Sequence, residues 1–479
     1  MPFDLSILRL ETMKVEDLRY QQSLDYLYSF VDYSLTKSYG NLPEVFDLIR
    51  MQELLSSLGN PHLLCPVIHV AGTKGKGSTA ALIASVLQAA GYQTGIYTSP
   101  HLQDYNERIQ VNGCPISHME ISELIEVIKP TVEKINKLTT FEITTALGFL
   151  HFARKKVDVA VVEVGLGGRL DATNLVDPLV SVITSISYDH TNVLGNTLSQ
   201  IAIEKAGIIK PGRPVVSSPQ KFEVNQVIEN VVAKNCSPLT LVGRDYFYSQ
   251  ESRSFGSQTF RVWTSHEQDR MNHFIEGDTK QSWQPVQLTM PLLGYHQLEN
   301  GTTAYAALQV AKLQGMNIST EDIQKGFKDV FWPARFEILS QNPILIIDSA
   351  HNRDAALKLR IALDEYLPGK RVIMVIGTSE DKDIEGIFAE LAPKVLKAIA
   401  TKSIHPRAIN EDRLVDIAHR FGISAQAITP VEAALAKALE GSANGIPIVV
   451  TGSIFLAAGV REIWQGLGHS LRNFGVENQ

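Results

Sequence analysis

The sequence predicts an α/β protein of two domains. A larger N-terminal domain is built on a mostly parallel sheet with a small β-insert, and a smaller C-terminal domain is again doubly wound. Three observations predict this. Short β-branched runs alternate with helical patterns, the order of a parallel sheet covered by helices. The runs at 67–70, 157–162 and 180–186 are nearly continuous in apolar residues, as strands buried on both faces are. The alternation breaks near Phe331-Trp332-Pro333 and then restarts, so the domains are expected at 1–330 and 331–479.

Residues 16–58 read as helical. Phe46, Ile49, Leu54 and Leu58 recur at near-helical spacing, and Gly59-Asn60-Pro61 ends the run. Val67-Ile68-His69-Val70 is a buried strand that runs into Ala71-Gly72-Thr73-Lys74-Gly75-Lys76-Gly77-Ser78-Thr79. Ser78 opens a helix with apolar Leu82, Ile83, Val86, Leu87 and Ala90, stopped by Gly91. Strand, glycine turn, lysine, hydroxyl and helix make a P-loop-type phosphate cradle. Backbone N–H groups are expected to point at one anion, Lys76 to add a point charge, and Ser78 to offer its hydroxyl to magnesium held on the phosphates. The spacing departs from G-x-x-x-x-G-K-[ST], because Val70 stands where the first glycine belongs and Gly77 precedes Ser78. A glycine-rich turn with an incidental lysine is the bland alternative. Three glycines in six residues, between strand and helix, weigh against it.

Further along, Gly95–Thr98 reads as a strand ending at Ser99-Pro100-His101-Leu102. Residues 121–138 form an amphipathic helix and 141–152 a more apolar one, with Phe141-Glu142 at its start. The 157–162 strand runs into Glu163 and the glycine-rich segment to Asn174. The 180–186 strand runs into Ser187-Tyr188-Asp189-His190. Parallel sheets bind ligands beyond the carboxyl ends of their strands, so Gly72, Glu163 and His190 should converge on one crevice. Residues 243–285 are polar, with Trp263, Trp283 and weak alternation (Tyr246/Tyr248, Phe260/Val262), and read as an antiparallel β-insert or a long loop. Gly294–Asn300 opens an alanine-rich helix. In the Rossmann-like second domain, strands at 344–347, 371–377 and 448–451 end at Asp348-Ser349-Ala350-His351-Asn352, Asp381-Lys382-Asp383 and Gly452-Ser453.

Composition removes several function classes. The 479 residues carry a net charge of −7, from 44 basic and 51 acidic residues with no basic block, so nothing favours nucleic acid or an anionic membrane surface. Three scattered cysteines, Cys65, Cys114 and Cys236, argue for a reducing compartment and against a CxxC metal site. Met1-Pro2-Phe3-Asp4 does not begin a signal peptide, and no run approaches the roughly 18 apolar residues of a membrane span. The expectation is a soluble cytoplasmic protein.

Each candidate has a bland counterpart. Glu163 follows four apolar residues, where a carboxylate is costly unless paired or metal-bound; it reads as a magnesium ligand or as a cap on the Gly165–Gly168 amides. His190 is a metal or phosphate contact, or a satisfied core histidine. Lys205, in Ile203-Glu204-Lys205-Ala206-Gly207-Ile208, is by itself only a helix lysine. Asp348, His351 and Arg335 are placed to close on a nucleotide from the second domain.

As an ordered set, these segments resemble the folylpolyglutamate synthase/dihydrofolate synthase family of the Mur ligase superfamily. The set comprises Gly72–Ser78, Ser99–Leu102, Glu163–Asn174, Asp189-His190, Glu204–Ile208, Gly294–Asn300, Asp348–Asn352 and Thr451-Gly452-Ser453. The resemblance implies a monomeric ATP-dependent ligase. A pteroate or folate carboxylate becomes an acyl phosphate, and the amine of L-glutamate displaces the phosphate. It further implies that Gly72, Thr73, Gly75, Lys76, Gly77, Ser78, Asn300, Arg335 and Asp348 hold ATP. Ser78, Ser99, Glu163 and His190 would serve two magnesium ions, Lys205 would be carbamylated, and His351 would stand near the glutamate. Asp171 and Thr173 would meet the pterin-bearing substrate. Lys76, Lys205, Arg335 and His351 carry the catalytic roles. The Arg169–Asn174 wording points to a bifunctional enzyme using dihydropteroate and tetrahydrofolate; a monofunctional one is the alternative. Three residues depart from the family pattern: Lys74 for asparagine, Ala334 for glycine, which implies a stiffer hinge, and Arg353 for proline. A Mur-type ligase of UDP-sugar peptides, and a nucleotide-dependent switch without amide chemistry, are the competing readings.

Overall fold

The β-branched runs become strands of three sheets in a computed structural model that describes residues 15–31, 47–277, 283–403, 405, 407–442 and 444–473. In chain order the first sheet holds β1 (Val67–Ala71), β2 (Thr94–Tyr97), β3 (Ile109–Val111) and β4 (Cys114–Pro115). It continues with β5 (Val159–Glu163), β6 (Pro178–Ile183), β7 (Val215–Ser217) and β8 (Leu239–Leu241). Their spatial order is β4-β3-β2-β5-β1-β6-β7-β8. β1 lies between β5 and β6 and is parallel to both, Val70 pairing with Glu163 on one side and Val182 on the other. The three loops flagged as chemical therefore leave three adjacent strands at the same end. Antiparallel β3 and β4 form one edge.

Several boundaries differ from the sequence reading. Glu163 is the last residue of β5 and pairs within the sheet. β6 stops at Ile183, because the chain then turns to bond the cradle. The cradle helix runs Lys76–Ala89, two residues earlier than Ser78, and Gly75 at φ 88° is its N-cap. The 16–58 region is two helices, Val15–Tyr28 and Leu48–Ser57. Residues 32–46, including Phe46, lie outside the described residues. Ile49 is 68% exposed, so Met51, Leu54 and Leu55 carry the buried stripe instead. The expected 121–138 helix is His118–Val132, and the 141–152 helix is Thr140–Lys155; each begins with a capping box, Ser117 with Glu120 and Thr139 with Glu142.

The insert is a three-stranded antiparallel sheet, which excludes the long-loop alternative. It consists of β9 (Tyr246–Arg253), β10 (Gln258–Thr264) and β11 (Val286–Met290), with β10 central. Its inward face, Phe260, Val262, Leu288 and Met290, enters the same core as the cradle helix and the helix Tyr295–Leu313. Trp263 and Trp283 instead donate their indole N–H groups to Gln268 and Glu267.

The second lobe is a six-stranded sheet of β12 (Glu337–Gln341), β13 (Ile344–Ile347), β14 (Val372–Ile376), β15 (Val395–Ala400), β16 (Ser424–Ala427) and β17 (Ile448–Thr451). Its order is β12-β13-β17-β14-β15-β16, parallel except for β12. The three strands read from the sequence are there. β12, β15 and β16 add to them.

The connector between the sheets packs closely. Ala334 and Phe336 have φ of 58° and 48°, in the left-handed region that favours glycine. The Trp332 indole lies on Gly77, where a Cβ would come within 2.8 Å of its Cζ2. Among the described residues, no helix is long and apolar enough to cross a membrane.

Candidate active site

The cradle is held from behind. Thr73 and Lys74 donate their backbone N–H groups to Ser185 O at 2.9 and 3.1 Å, and the Thr73 hydroxyl bonds the Ser187 backbone. These two amides are therefore not turned to an anion, contrary to the expectation for the whole loop. The amides from Gly75 onward, at the start of the Lys76–Ala89 helix, remain for that role. A side chain at Gly75 would strike Asn300 Oδ1 at 2.2 Å, so Asn300 stands against the loop.

Two groups of ionisable side chains meet here. In the first, Lys76 Nζ lies 3.8 Å from Glu163 Oε1. Glu163 is buried, and burial pushes its carboxyl up to about 7, against the charges of Lys76 and Arg335 and an N–H from Ser99. Arg335, from the second lobe, is near enough to act on both Glu163 and Asp348. Asp348 already accepts backbone N–H groups from Phe336 and Ala350 at 2.8 Å each. Ser78 is buried in the first turn of the helix, and Ser99 precedes a cis proline.

In the second group, Asp189 Oδ2 accepts from Lys74 Nζ at 2.8 Å and from Asn352 Nδ2 at 3.0 Å. His351 Nε2 is 3.5 Å from Lys74 Nζ, and its Nδ1 bonds Ser349 O. Burial, and then the Lys74 charge, bring His351 down to about 3, so its ring is neutral. His190 lies on the rim, 3.8 Å from Asp189, and is brought down to about 4 by desolvation. A cleft of about 1060 Å³ opens here, between His190 and Glu299 of the first lobe and Asn352, Asp354 and Lys382 of the second.

Lys205 joins the two groups. Its Nζ donates to Gly72 O at 2.8 Å. Burial, then the Lys76 charge, bring its amine down to about 7. What looked like an ordinary helix lysine is thus a half-neutral buried amine against the cradle. Asp171, whose charge is felt by Glu163 and Lys205, bonds within its own loop together with Thr173. The Asp171 carboxylate accepts from Thr173 N, Thr173 Oγ1, Leu166 N and Gly165 N, and the Thr173 hydroxyl bonds His69 Nε2 at 2.8 Å. Sequence reasoning noted Lys74, Asn352 and Trp332 but gave them no role at the site; for Lys74 the signal was its departure from the family's asparagine.

Among the described residues, no three His, Cys, Asp or Glu side chains gather to hold a metal. The donors present, a buried carboxylate and a hydroxyl at a phosphate loop, still suit magnesium, which takes one or two protein oxygens and completes its shell with phosphate and water.

A phosphate cradle facing a second α/β lobe, with a lysine, an arginine and a buried carboxylate between them, defines the Mur ligase class. Residues 70–308 match the Mur ligase middle domain, and residues 334–454 match the Mur ligase glutamate ligase domain. Within that class, the chain belongs to the dihydrofolate synthase/folylpolyglutamate synthase family. It is 35% identical to the Bacillus subtilis dihydrofolate synthase/folylpolyglutamate synthase, over 86% of this chain and 94% of that one. It is 33% identical to the Lacticaseibacillus casei folylpolyglutamate synthase, over 94% and 99%. The Mycobacterium tuberculosis folylpolyglutamate synthase solved with ADP and AMPPCP superposes with a TM-score of 0.81 at 29% identity, covering 97% and 100% of the two chains. Escherichia coli FolC solved with DHPP and ADP gives 0.79 at 31%, covering 94% and 98%. The chain is an ATP-dependent, amide-bond-forming ligase.

Proposed function

We propose that this ligase joins L-glutamate to dihydropteroate, forming dihydrofolate, and to tetrahydrofolate, extending its glutamate tail. The acceptor carboxylate attacks the γ-phosphate of ATP, releasing ADP and leaving an acyl phosphate. The glutamate amine then adds to the acyl carbon, and as the C–O bond breaks the departing phosphate takes the bonding pair and the amine's proton, leaving the amide. A carboxylate and a triphosphate repel one another, so the site must supply cations where they meet. Lys76 beside Glu163, with the charge of Arg335 from the other lobe felt by the same carboxylate, is the observation that carries this reading. Names of relatives acting on both kinds of acceptor support the bifunctional form.

Ser78, Ser99 and Glu163 would hold one magnesium ion, and His190 with Lys205 would serve a second; bound there, magnesium neutralises phosphate charge. The half-neutral Lys205 amine can add to carbon dioxide and lose a proton, giving a carbamate in place of a buried cation. Asn300, Asp348 and the Gly75–Ser78 turn would frame the nucleotide. Asp171 and Thr173 would hold the wall of the pterin site, their own hydrogen bonds being full. We assign residues 1–330 and 331–479 to the two domains, and expect a monomer acting in the cytoplasm.

Turnover with dihydropteroate and with tetrahydrofolate, measured side by side, tests the proposal. ADP should form only when acceptor, L-glutamate and magnesium are all present. ADP release without the pterin, or turnover of a UDP-sugar peptide, would overturn it.

A further inference from the structure

Lys74 lies two residues before the phosphate-facing lysine, yet its ammonium is committed elsewhere. Its N–H is given to Ser185 O, and its Nζ is 2.8 Å from Asp189 Oδ2. Both side chains are largely shielded, 14% and 13% exposed. The same Asp189 oxygen takes the amide of Asn352 at 3.0 Å. Asn352 is the N-cap of the second lobe's helix Arg353–Tyr366, its own oxygen accepting from Ala355 N. One carboxylate oxygen thus gathers an ammonium from the phosphate loop and an amide from the far lobe. His351 lies 3.5 Å from the same ammonium, and Ser187 Oγ reaches Asp354 at 3.2 Å beside it. Without Lys74, Asp189 would keep its place in a shielded pocket and lose its nearest cation. The post that Asn352 docks on would then be free to turn toward Lys382 or water.

We propose that Lys74 is a positioning residue for the ligation: it fixes Asp189 as the docking post for Asn352, its own ammonium lying beside His351, and so sets the second lobe's distance from the phosphate loop. The role rests on the ligase reading above. It differs from phosphate binding in what it predicts. Nucleotide affinity should survive the loss of Lys74, whereas steps needing both lobes should not.

The test combines calorimetric ADP binding with steady-state glutamate ligation in K74A, K74R, N352A and K74A/N352A. Lys74→Ala should bind ADP within about threefold of wild type while kcat/KM for L-glutamate falls by about tenfold or more. Lys74→Arg should recover most of that loss. The double variant should be no worse than Lys74→Ala by more than about threefold, because both changes cut one post. If Lys74→Ala fails to fold, Lys74→Gln, neutral and polar, takes its place in every arm. An ADP affinity weakened by about tenfold with glutamate kinetics unchanged would make Lys74 a nucleotide ligand and overturn the proposal. Unchanged kinetics, or fully multiplicative losses in the double variant, would overturn it too. Wild-type protein without turnover would instead sink the ligase assignment, so the two failures are distinct.

Discussion

Glu163 and Asp171 lie eight residues apart in one glycine-rich segment, both are buried carboxylates, and burial raises the pKa of both. Their surroundings separate them. Asp171 accepts four hydrogen bonds from its own loop, as many as a carboxylate readily takes. Glu163 has Lys76 at 3.8 Å, the more distant Arg335 and one N–H, and keeps lone pairs to spare. Burial alone therefore does not mark a functional acid. A buried acid with incomplete partners beside cations does.

Experiments can break this contrast. Glu163→Gln should cost the ligation reaction about 3–4 kcal/mol of transition-state stabilisation, the scale of a lost charge-stabilising group. Its urea midpoint should stay near wild type; an active Glu163→Gln enzyme would remove the distinction. Asp171→Ala should do the reverse, lowering unfolding stability by about 3 kcal/mol as its donors lose their acceptor, measured by urea titration with ADP binding as a control.

Glu163 should also leave a mark on the pH dependence of stability. The folded pKa of Glu163 lies near 7, above its ordinary value of 4.5, so between these the folded state holds more proton than the unfolded one. Stability from this group is therefore full below about pH 4.5 and falls as pH rises to 7, by at most about 1.4 kcal/mol per unit. Glu163→Gln should flatten that part of the stability curve; an unchanged slope would refute the assignment. The smallest effect is expected from Thr173→Val, about 1–2 kcal/mol of stability, as Asp171 loses one donor and His69 its partner. A neutral result would show that a water replaces the hydroxyl.

Much of this was legible in the chain. Val67–Ala71, Val159–Glu163 and Ile448–Thr451 announce themselves because strands covered on both faces need no alternation. Ser424-Ala425-Gln426-Ala427 makes an edge strand with almost no apolar payload, so no pattern betrays it. Glu337–Gln341 is an antiparallel edge, equally quiet. At the site, Lys76 and Glu163 could be named because a strand end and a glycine turn fix where they point. Lys74 could not, since its partner Asp189 lies 115 positions away and Asn352, which shares that carboxylate, 163 positions beyond Asp189, and only the folded chain brings them together. Lys205 was readable only by likeness: its lowered pKa comes from burial against Gly72 O, which no local pattern encodes. Ala334, where the family pattern has glycine, sits at φ 58°, a conformation that no local pattern announces.

The indole of Trp332 on Gly77 has an engineering consequence. The glycine floor of the phosphate turn is also the seat of the strap joining the two halves. A redesign of this enzyme's nucleotide preference that adds even one methyl group at position 77 would press on the Trp332 indole, which sits three residues before Arg335. Nucleotide choice and lobe geometry in this chain are thus a single design variable, to be altered together or left alone.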